Sequence, residues 1–243
     1  MMLSNSHNTN NHNIFTSLLI VEVLKLLKNK HDYKELSKIT GLPVSTLTRY
    51  ITNKTLPRGS KLNKLLASIL KNTDVNGLIK ENIRVNGKEI DLSGIVSDIT
   101  AMKFISLYVI NAFIGNRITS ILAIDQEGIP LATSIGLFME RRVFFLSDKS
   151  PFNSDYNTRI MYYVKETGEY KIYWLHRSIL NRNENVLLVA GILRNSSLIK
   201  QLYDKISGES ASFGGLFSLV SFSKTLNEIG SIPVGKKVTL MVI

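Results

Sequence analysis

A chain of 243 residues is longer than one small module and has room for a small domain and a medium-sized one. Hydrophobic residues make up 44% and charged residues 20%, which excludes a chain that is disordered throughout. The lack of cysteine excludes disulfides, thiolate nucleophiles and cysteine zinc sites, and a formal net charge of +11 favours an anionic partner.

The N-terminal stretch and the hydropathy pattern bear on location. Residues 1–13 are rich in Asn, Ser and His and lack the basic start and apolar run of a signal peptide, so we expect a disordered tail. No stretch approaches the ~18 consecutive apolar residues of a spanning helix. Together with the lack of disulfides, these features predict a cytoplasmic protein with no membrane partner.

The positive charge is concentrated near the N-terminus. Residues 14–72 hold eleven Lys and Arg against three acids, a net charge of +8. Such a segment binds a phosphate backbone through counterion release, although a solvated surface or an anionic membrane would also accept it. Charge by itself therefore leaves these alternatives open.

The same segment predicts a bundle of helices. Apolar residues follow helical stripes over 14–27 and 61–71. Between them, 33–52 predicts two short helices around a turn at Gly41, where glycine permits a positive φ. Pro43 suits the start of the second short helix, where Ser45 or a neighbour can cap free amides. The side chains expected to face inward are Leu36, Ile39, Leu42, Val44, Leu47 and Ile51.

The outward face of the second short helix would carry small hydroxyl side chains and an arginine. Such a face suits the major groove, where arginine pairs with guanine and hydroxyls reach bases or phosphates. The run 41–50 resembles the helix-turn-helix of repressor families, in which the glycine makes the turn and a small residue, here Ser37, stands four positions before it. The resemblance implies that residues 46–49 lie on a recognition helix.

This resemblance implies a sequence-specific transcriptional regulator that binds double-stranded DNA. Lysines and arginines downstream of the recognition helix would touch phosphates. The predicted DNA-binding residues are Pro43, Ser45, Thr46, Thr48, Arg49, Thr52, Lys54, Arg58, Lys61 and Lys64. The alternative is a helical interaction module whose basic face is merely solvated.

The pattern changes after residue 72. The alternation around Asn86-Gly87 predicts a hairpin over 83–92. We therefore predict a tail at 1–13, a helix-turn-helix domain at 14–72, a linker with the hairpin at 73–91, and a second domain at 92–243. In that domain strand-like and helix-like segments alternate, which predicts an α/β fold with a mainly parallel sheet.

The elements of the second domain follow from hydrophobic runs bounded by turn residues. The predicted helices span 99–113, 130–140 and 196–206. The predicted strands span 120–124, 142–146, 185–189, 215–222 and 238–242, with a hairpin of 156–164 and 169–176 inserted before the central strand.

From about residue 92 this order of elements resembles a type I phosphoribosyltransferase. The run 121–132, most of all 128–132, is similar to the first strand and pyrophosphate loop of that family, although Glu127 replaces one of the two glycines usual there. Asp148 and Lys149 resemble residues at the base of the flexible hood. The run 185–198 takes the place of the phosphoribosyl pyrophosphate motif.

In that family two carboxylates hold the ribose hydroxyls, and a loop at a helix N-terminus presents amides to the 5′-phosphate. Ala190 and Gly191 stand in place of the acids. The resemblance therefore implies a catalytically degenerate domain: not an enzyme, with no catalytic residue, metal or cofactor. The predicted ligand-binding residues are Gln126, Glu127, Gly128, Lys149, Arg194, Asn195, Ser196 and Ser197.

Two interpretations of residues 194–197 stay open. A phosphate could sit on the helix terminus beside the Arg194 guanidinium. Alternatively, Asn195 or Ser196 caps the helix and Arg194 is solvated. The four histidines lack metal spacing. Asp125 and Glu127 could pair as carboxylates, but at i and i+2 in a loop they are expected to be ordinary surface groups.

Regulators that join a helix-turn-helix to a phosphoribosyltransferase-like domain dimerise through that domain and sense nucleotide-related metabolites. The resemblance thus implies a homodimer on a palindromic site, with a phosphorylated small-molecule effector shifting the spacing of the recognition helices. The rival interpretations are an active nucleobase phosphoribosyltransferase with an added nucleic-acid module, and an architectural DNA protein without a ligand.

Overall fold

The N-terminal third of the protein is helical. A computed structural model describes residues 8–243 except 88, 153, 166 and 234. Its first elements are helices α1 (Asn8–Lys28), α2 (Tyr33–Thr40), α3 (Val44–Ile51), α4 (Gly59–Lys71) and α5 (Val75–Asn82). The hairpin of β1 (Arg84–Asn86) and β2 (Glu89–Asp91) and the short α6 (Ser93–Val96) follow. The predicted hairpin around Asn86-Gly87 is confirmed.

The rest of the chain builds a parallel sheet. Its elements are α7 (Ile99–Ala112), β3 (Ser120–Ala123), α8 (Gly128–Met139), β4 (Arg142–Phe145), β5 (Asn157–Val164), β6 (Glu169–His176), β7 (Asn185–Leu193), α9 (Ser196–Gly208), β8 (Ser212–Ser221), α10 (Ser223–Ile229) and β9 (Lys237–Val242). Five strands pair in the order β4-β3-β7-β8-β9, and each neighbouring pair is parallel. The predicted α/β class with a mainly parallel sheet is confirmed.

Apolar residues cover both faces of the sheet. On the central strand, Leu187 and Val189 belong to the core that contains α7 and α8. Leu188 and Ala190 belong to a second core with α9 and the antiparallel β5–β6 hairpin. Burial on both faces explains why β7 is an unbroken apolar run rather than an alternating one.

Helix α1 belongs to both parts of the molecule. Its apolar residues Leu19, Ile20, Val23 and Leu24 are fully buried. The helix packs on α2, α3 and α4 and also on α7 and α8. Lys103 of α7 forms an ion pair with Glu22 at 3.2 Å. A helix that is apolar around most of its circumference has to be covered on more than one side, so the helical part and the sheet share one core.

Four sequence predictions differ from the structure. Helix α1 begins at Asn8, so the predicted disordered tail is wrong for residues 8–13, and residues 1–7 lie outside the described part. Helix α5 occupies the expected turn-rich linker because the Asp74 carboxylate caps its Gly77 N–H. Helix α10 was not predicted because only seven residues form it. Val44 is 40% exposed rather than inward, because α3 packs through Leu47 and Tyr50.

We expect Leu24→Ala to lower the free energy of unfolding by about 2–5 kcal/mol, because it empties part of the core that both halves share. Chemical denaturation followed by far-ultraviolet circular dichroism and by the fluorescence of Trp174 measures this change. Both signals should shift together, since the core is common.

Leu137→Ala is the matched control, because Leu137 is 62% exposed on α8; its effect should stay within about 0.5 kcal/mol. A Leu24→Ala protein whose dichroism shifts while its Trp174 transition does not would contradict the shared core.

Candidate functional site

The turn between α2 and α3 is held by local hydrogen bonds. Asp32 and Glu35 form a reciprocal capping box at the start of α2. Gly41 has a φ of 70°, and its N–H donates to the Ser37 carbonyl at 2.9 Å. The Ser37 hydroxyl donates to the Leu42 carbonyl at 2.6 Å. These bonds set the angle at which α3 leaves α2, as the glycine and the small residue predict.

The predicted outward face of α3 is accessible. Ser45, Arg49 and Thr52 are exposed, whereas Thr46 and Thr48 are half-buried. The Thr48 hydroxyl donates to the Val44 carbonyl at 2.9 Å, and the Thr52 hydroxyl donates to the Thr48 carbonyl at 2.7 Å. The hydroxyl hydrogens of these two threonines therefore serve the helix, which leaves their oxygens able to accept further hydrogen bonds.

The remaining predicted residues surround α3. Pro43 precedes the helix and is exposed, and Lys54 follows it in the next turn. Arg58 stands directly before α4, and Lys61 and Lys64 lie on its first two turns; all four basic side chains are exposed. The Ser17 hydroxyl of α1 donates to the Pro57 carbonyl at 2.7 Å, which attaches this connection to the shared core.

A second cluster lies at the carboxyl ends of β3 and β7. These neighbouring parallel strands end at the same edge of the sheet. The Asp125 carboxylate, directly after β3, accepts hydrogen bonds from the backbone N–H groups of Gly128, Gly191 and Ile192 at 2.7–3.0 Å. The expectation that Asp125 is an ordinary surface group is wrong, because it links β3, β7 and the first turn of α8.

Burial controls the charge of this carboxyl. It raises the pKa of Asp125 to about 6, and the nearby Glu127 carboxylate adds to the rise, while the three N–H donors oppose it. A side chain at Gly191 would collide with this turn, since a Cβ there would lie 2.4 Å from the Glu127 Cβ. Glycine at 191 thus has a packing reason in this fold.

The N-terminus of α9 forms the wall of a small cleft. The Asn195 side chain caps the helix by accepting from the N–H groups of Ser197 and Leu198 at 2.9 and 3.2 Å. Arg194 lies 3.7 Å from the Glu127 carboxylate, so it is not simply solvated. The Ser196 hydroxyl donates to the Glu228 carboxylate, and this bond, helped by Lys165 and Lys224, lowers the pKa of Glu228.

The cleft has a volume of about 20 Å³ and is predominantly basic. Its lining residues are Lys165, Arg194, Asn195, Ser196, Ser197, Lys224, Thr225 and Glu228. Four of the eight predicted ligand-binding residues line it, and Glu127 reaches it through Arg194. Gln126 lies in the turn after β3, Gly128 begins α8, and Lys149 is exposed after β4; these three do not line the cleft.

The sequence pattern does not single out Lys165 and Lys224. Lys165 is in the turn of the β5–β6 hairpin and Lys224 is in α10, so neither belongs to a motif near residue 194. Within the described ranges, no three His, Asp or Glu side chains are grouped so that they could hold a metal ion. In the same ranges no helix has both the length and the apolar character needed to cross a membrane.

We expect the Asp125 carboxyl to report its burial through pH. The pKa of Asp125 is 3.8 in the unfolded state and about 6 in the folded state, so the folded state binds the proton more tightly. Its contribution to the free energy of unfolding therefore falls as the pH rises through this interval. Across that range the free energy of unfolding of wild type, measured by denaturation, should fall relative to that of Asp125→Asn, which cannot ionise, and the Gly191 and Ile192 amide resonances should titrate near pH 6.

Asp148→Asn is the control, because Asp148 is an exposed carboxyl after β4, and it should leave both signals as in wild type. A midpoint near 4 for the two amides would contradict the assigned role of burial.

Several solved structures of adenine phosphoribosyltransferases are similar to this chain. The enzyme from Rhodothermus marinus DSM 4252 aligns with a TM-score of 0.60 and 11% identity, over 70% of this chain and 98% of that chain. The Leishmania donovani enzyme aligns with a TM-score of 0.60 and 16% identity, over 70% of this chain and 80% of that chain. The Giardia lamblia enzyme complexed with 9-deazaadenine aligns with a TM-score of 0.59 and 14% identity, over 70% of this chain and 99% of that chain. No family model and no curated protein matches the sequence.

This likeness corrects one sequence prediction. The chain was expected not to be an enzyme, on the ground that Ala190 and Gly191 replace acids. That expectation is contradicted, because the similar solved structures are enzymes. At 11–16% identity the likeness establishes the fold. The sheet-bearing part of this chain has the phosphoribosyltransferase fold.

Proposed function

We propose that the protein is a sequence-specific DNA-binding regulator, acting as a homodimer, whose phosphoribosyltransferase-fold part binds a phosphorylated ligand. The observation that carries the DNA-binding proposal is the accessible face of α3, within a segment of net charge +8. Helix α3 follows a three-residue turn after α2, an arrangement that suits a recognition helix.

The chemistry of the face supports base contacts. Arg49 can pair with guanine in the major groove, and the exposed Val44 suits the methyl group of thymine. Lys54, Arg58, Lys61 and Lys64 supply the positive charge that phosphates attract. Two kinds of contact are thereby separated along the chain: base contacts on α3 and phosphate contacts around α4.

We expect Arg49→Ala to weaken binding to a selected operator by about 1–3 kcal/mol and to relax its sequence preference. Lys61→Ala should weaken operator and random DNA equally and reduce the salt slope by about 1. Selection of bound duplexes from a random pool, followed by anisotropy titrations at several salt concentrations, measures both effects.

Lys200→Ala is the control, since it removes an exposed cation on α9, outside this segment; it should bind like wild type. If Arg49→Ala lowers the affinity for operator and for random DNA equally, base contacts by that residue are excluded. Coating of DNA without a shared motif would favour an architectural protein instead.

The cleft beside α9 supports an anion ligand. Lys165, Arg194 and Lys224 surround it, and carboxylates of the chain already contact two of its anion-binding groups: Glu127 at Arg194 and Glu228 at Ser196. A phosphate that binds Arg194 would compete with the Glu127 carboxylate, which lies 3.7 Å from that guanidinium. Glu127 directly precedes α8, and α8 packs on α1, so the ligand has a packed route towards the helical part.

We expect Glu127→Gln to tighten the binding of 5-phosphoribosyl pyrophosphate, because Arg194 loses its internal competitor. Arg194→Gln should weaken binding about tenfold, the loss of one charge-assisted hydrogen bond. Isothermal titration calorimetry measures both, and Arg182→Gln, an exposed arginine before β7, is the control. Unchanged affinity in both variants would remove the ligand from this cleft.

The second candidate function is nucleobase phosphoribosyl transfer, which the fold of the solved enzymes favours. Incubation of the wild-type protein with 5-phosphoribosyl pyrophosphate and each nucleobase tests it through pyrophosphate release. Nucleotide formation that Arg194→Gln abolishes would establish this activity at the cleft.

A further inference from the structure

The β5–β6 hairpin has one covered face and one open face. Its inner residues, such as Ile160, Tyr162 and Leu175, are buried in the core with α9. On the opposite face, the register places three cross-strand pairs side by side. We call this face the outer strip: Arg159 with Trp174, Met161 with Ile172, and Tyr163 with Tyr170.

The outer strip is apolar and exposed. Tyr170 is 69% exposed and Met161 is 56% exposed, and Tyr163 and Ile172 are exposed as well. The strip consists of Tyr, Trp, Met, Ile and Arg and carries no Lys, Asp or Glu. Aromatic residues, Met and Arg are enriched in the centres of protein interfaces, whereas Lys, Asp and Glu are depleted there. The composition of the outer strip is therefore typical of a protein interface rather than of a solvent-exposed surface.

We propose that the outer strip is the surface through which two copies of this chain form a homodimer. The strip has two unlike ends. At one end the Arg159 guanidinium lies 6.0 Å from the Trp174 ring centre, and at the other the Tyr163 and Tyr170 rings lie 5.2 Å apart. A two-fold axis through the Met161–Ile172 pair sets the Arg159 end of each copy against the tyrosine end of the other.

That arrangement is self-complementary. The two guanidinium groups lie at opposite ends of the interface, so like charges do not meet. Each cation instead faces tyrosine rings, whose faces attract cations. The Met161 and Ile172 side chains fill the centre. A single-stranded nucleic acid would also stack on the aromatic rings, but such sites combine rings with a basic groove, and Arg159 is the strip's single cation among its described residues.

The interface would also act on the cleft. The turn of this hairpin carries Lys165, which lines the cleft, and the inner face of the hairpin packs on α9. A partner copy bound to the outer strip therefore restricts the movement of the hairpin that carries Lys165. This inference deepens the proposed function by naming the surface of its homodimer, and it rests on that dimer and not on DNA binding.

Sedimentation equilibrium of the full chain tests the proposal. We expect wild type to be a dimer and Ile172→Asp to weaken it about thirtyfold or more, as for a central interface residue. Leu137→Asp is the control, because Leu137 is also apolar and exposed but lies on α8, and it should dimerise like wild type. Trp174 is the single tryptophan, so its emission should shift to the red on dilution together with the loss of dimer.

A charge swap tests the two-fold arrangement. Tyr163→Arg should break the dimer, because it faces Arg159 of the other copy, and adding Arg159→Glu should restore it. Within one copy these positions are about 13 Å apart along the strands, so only a partner can supply the contact. Melting curves of each variant show whether the hairpin is still folded.

Three results would overturn the proposal: a wild-type monomer at all concentrations, a dimer that Ile172→Asp leaves intact, or a double variant that stays monomeric while it is folded. A monomer whose Trp174 emission is quenched by oligothymidylate would make nucleic acid the occupant. If DNA selection with wild type yields no shared motif, the proposed regulator fails while the sedimentation result stands.

Discussion

Helix α1 is buried from several sides, and its burial holds the helical part and the sheet part together. Its side chains Leu19, Ile20, Val23 and Leu24 have no exposed surface, and its neighbours belong to both the helical part and the sheet part. A helix with so little polar surface is unstable unless other elements cover it from several sides. The protein therefore cannot be two bodies joined by a flexible linker: both parts complete the cover of the same helix.

This shared core gives the candidate sites a fixed geometry relative to each other. Glu127 precedes α8, α8 packs on α1, and α1 packs on α3. The cleft and the exposed face of α3 are thus joined through consecutive packed helices, without a loop in between. In the proposed function, a ligand that displaces Glu127 from Arg194 acts on the first of these contacts. Energetic coupling along them is part of the proposal.

The candidate sites were predictable to different degrees. The face of α3 depends on residues within one short run, so the local pattern placed Arg49 and its neighbours correctly on the outside, apart from Val44. The cleft draws on three distant segments. Lys165 and Lys224 meet Arg194 only after the hairpin and α10 have packed near α9. No spacing in the sequence encodes that meeting, and the same is true of the Gly191 and Ile192 amides that donate to Asp125.

The strands, most of the helices and the α/β class could be predicted from the chain alone, because hydrophobic period, Gly41 and the Asn86-Gly87 turn act over a few residues. Contacts between distant elements establish the order of the strands, the burial of α1 by both parts of the molecule and the partners of each charged side chain. Such contacts also bury the Asp125 carboxyl among backbone N–H groups, and they leave no room for a side chain at Gly191 beside the turn that contains Glu127. The hydrogen bonds from the Gly191 and Ile192 N–H groups to Asp125 join segments more than sixty residues apart, and burial sets their energies.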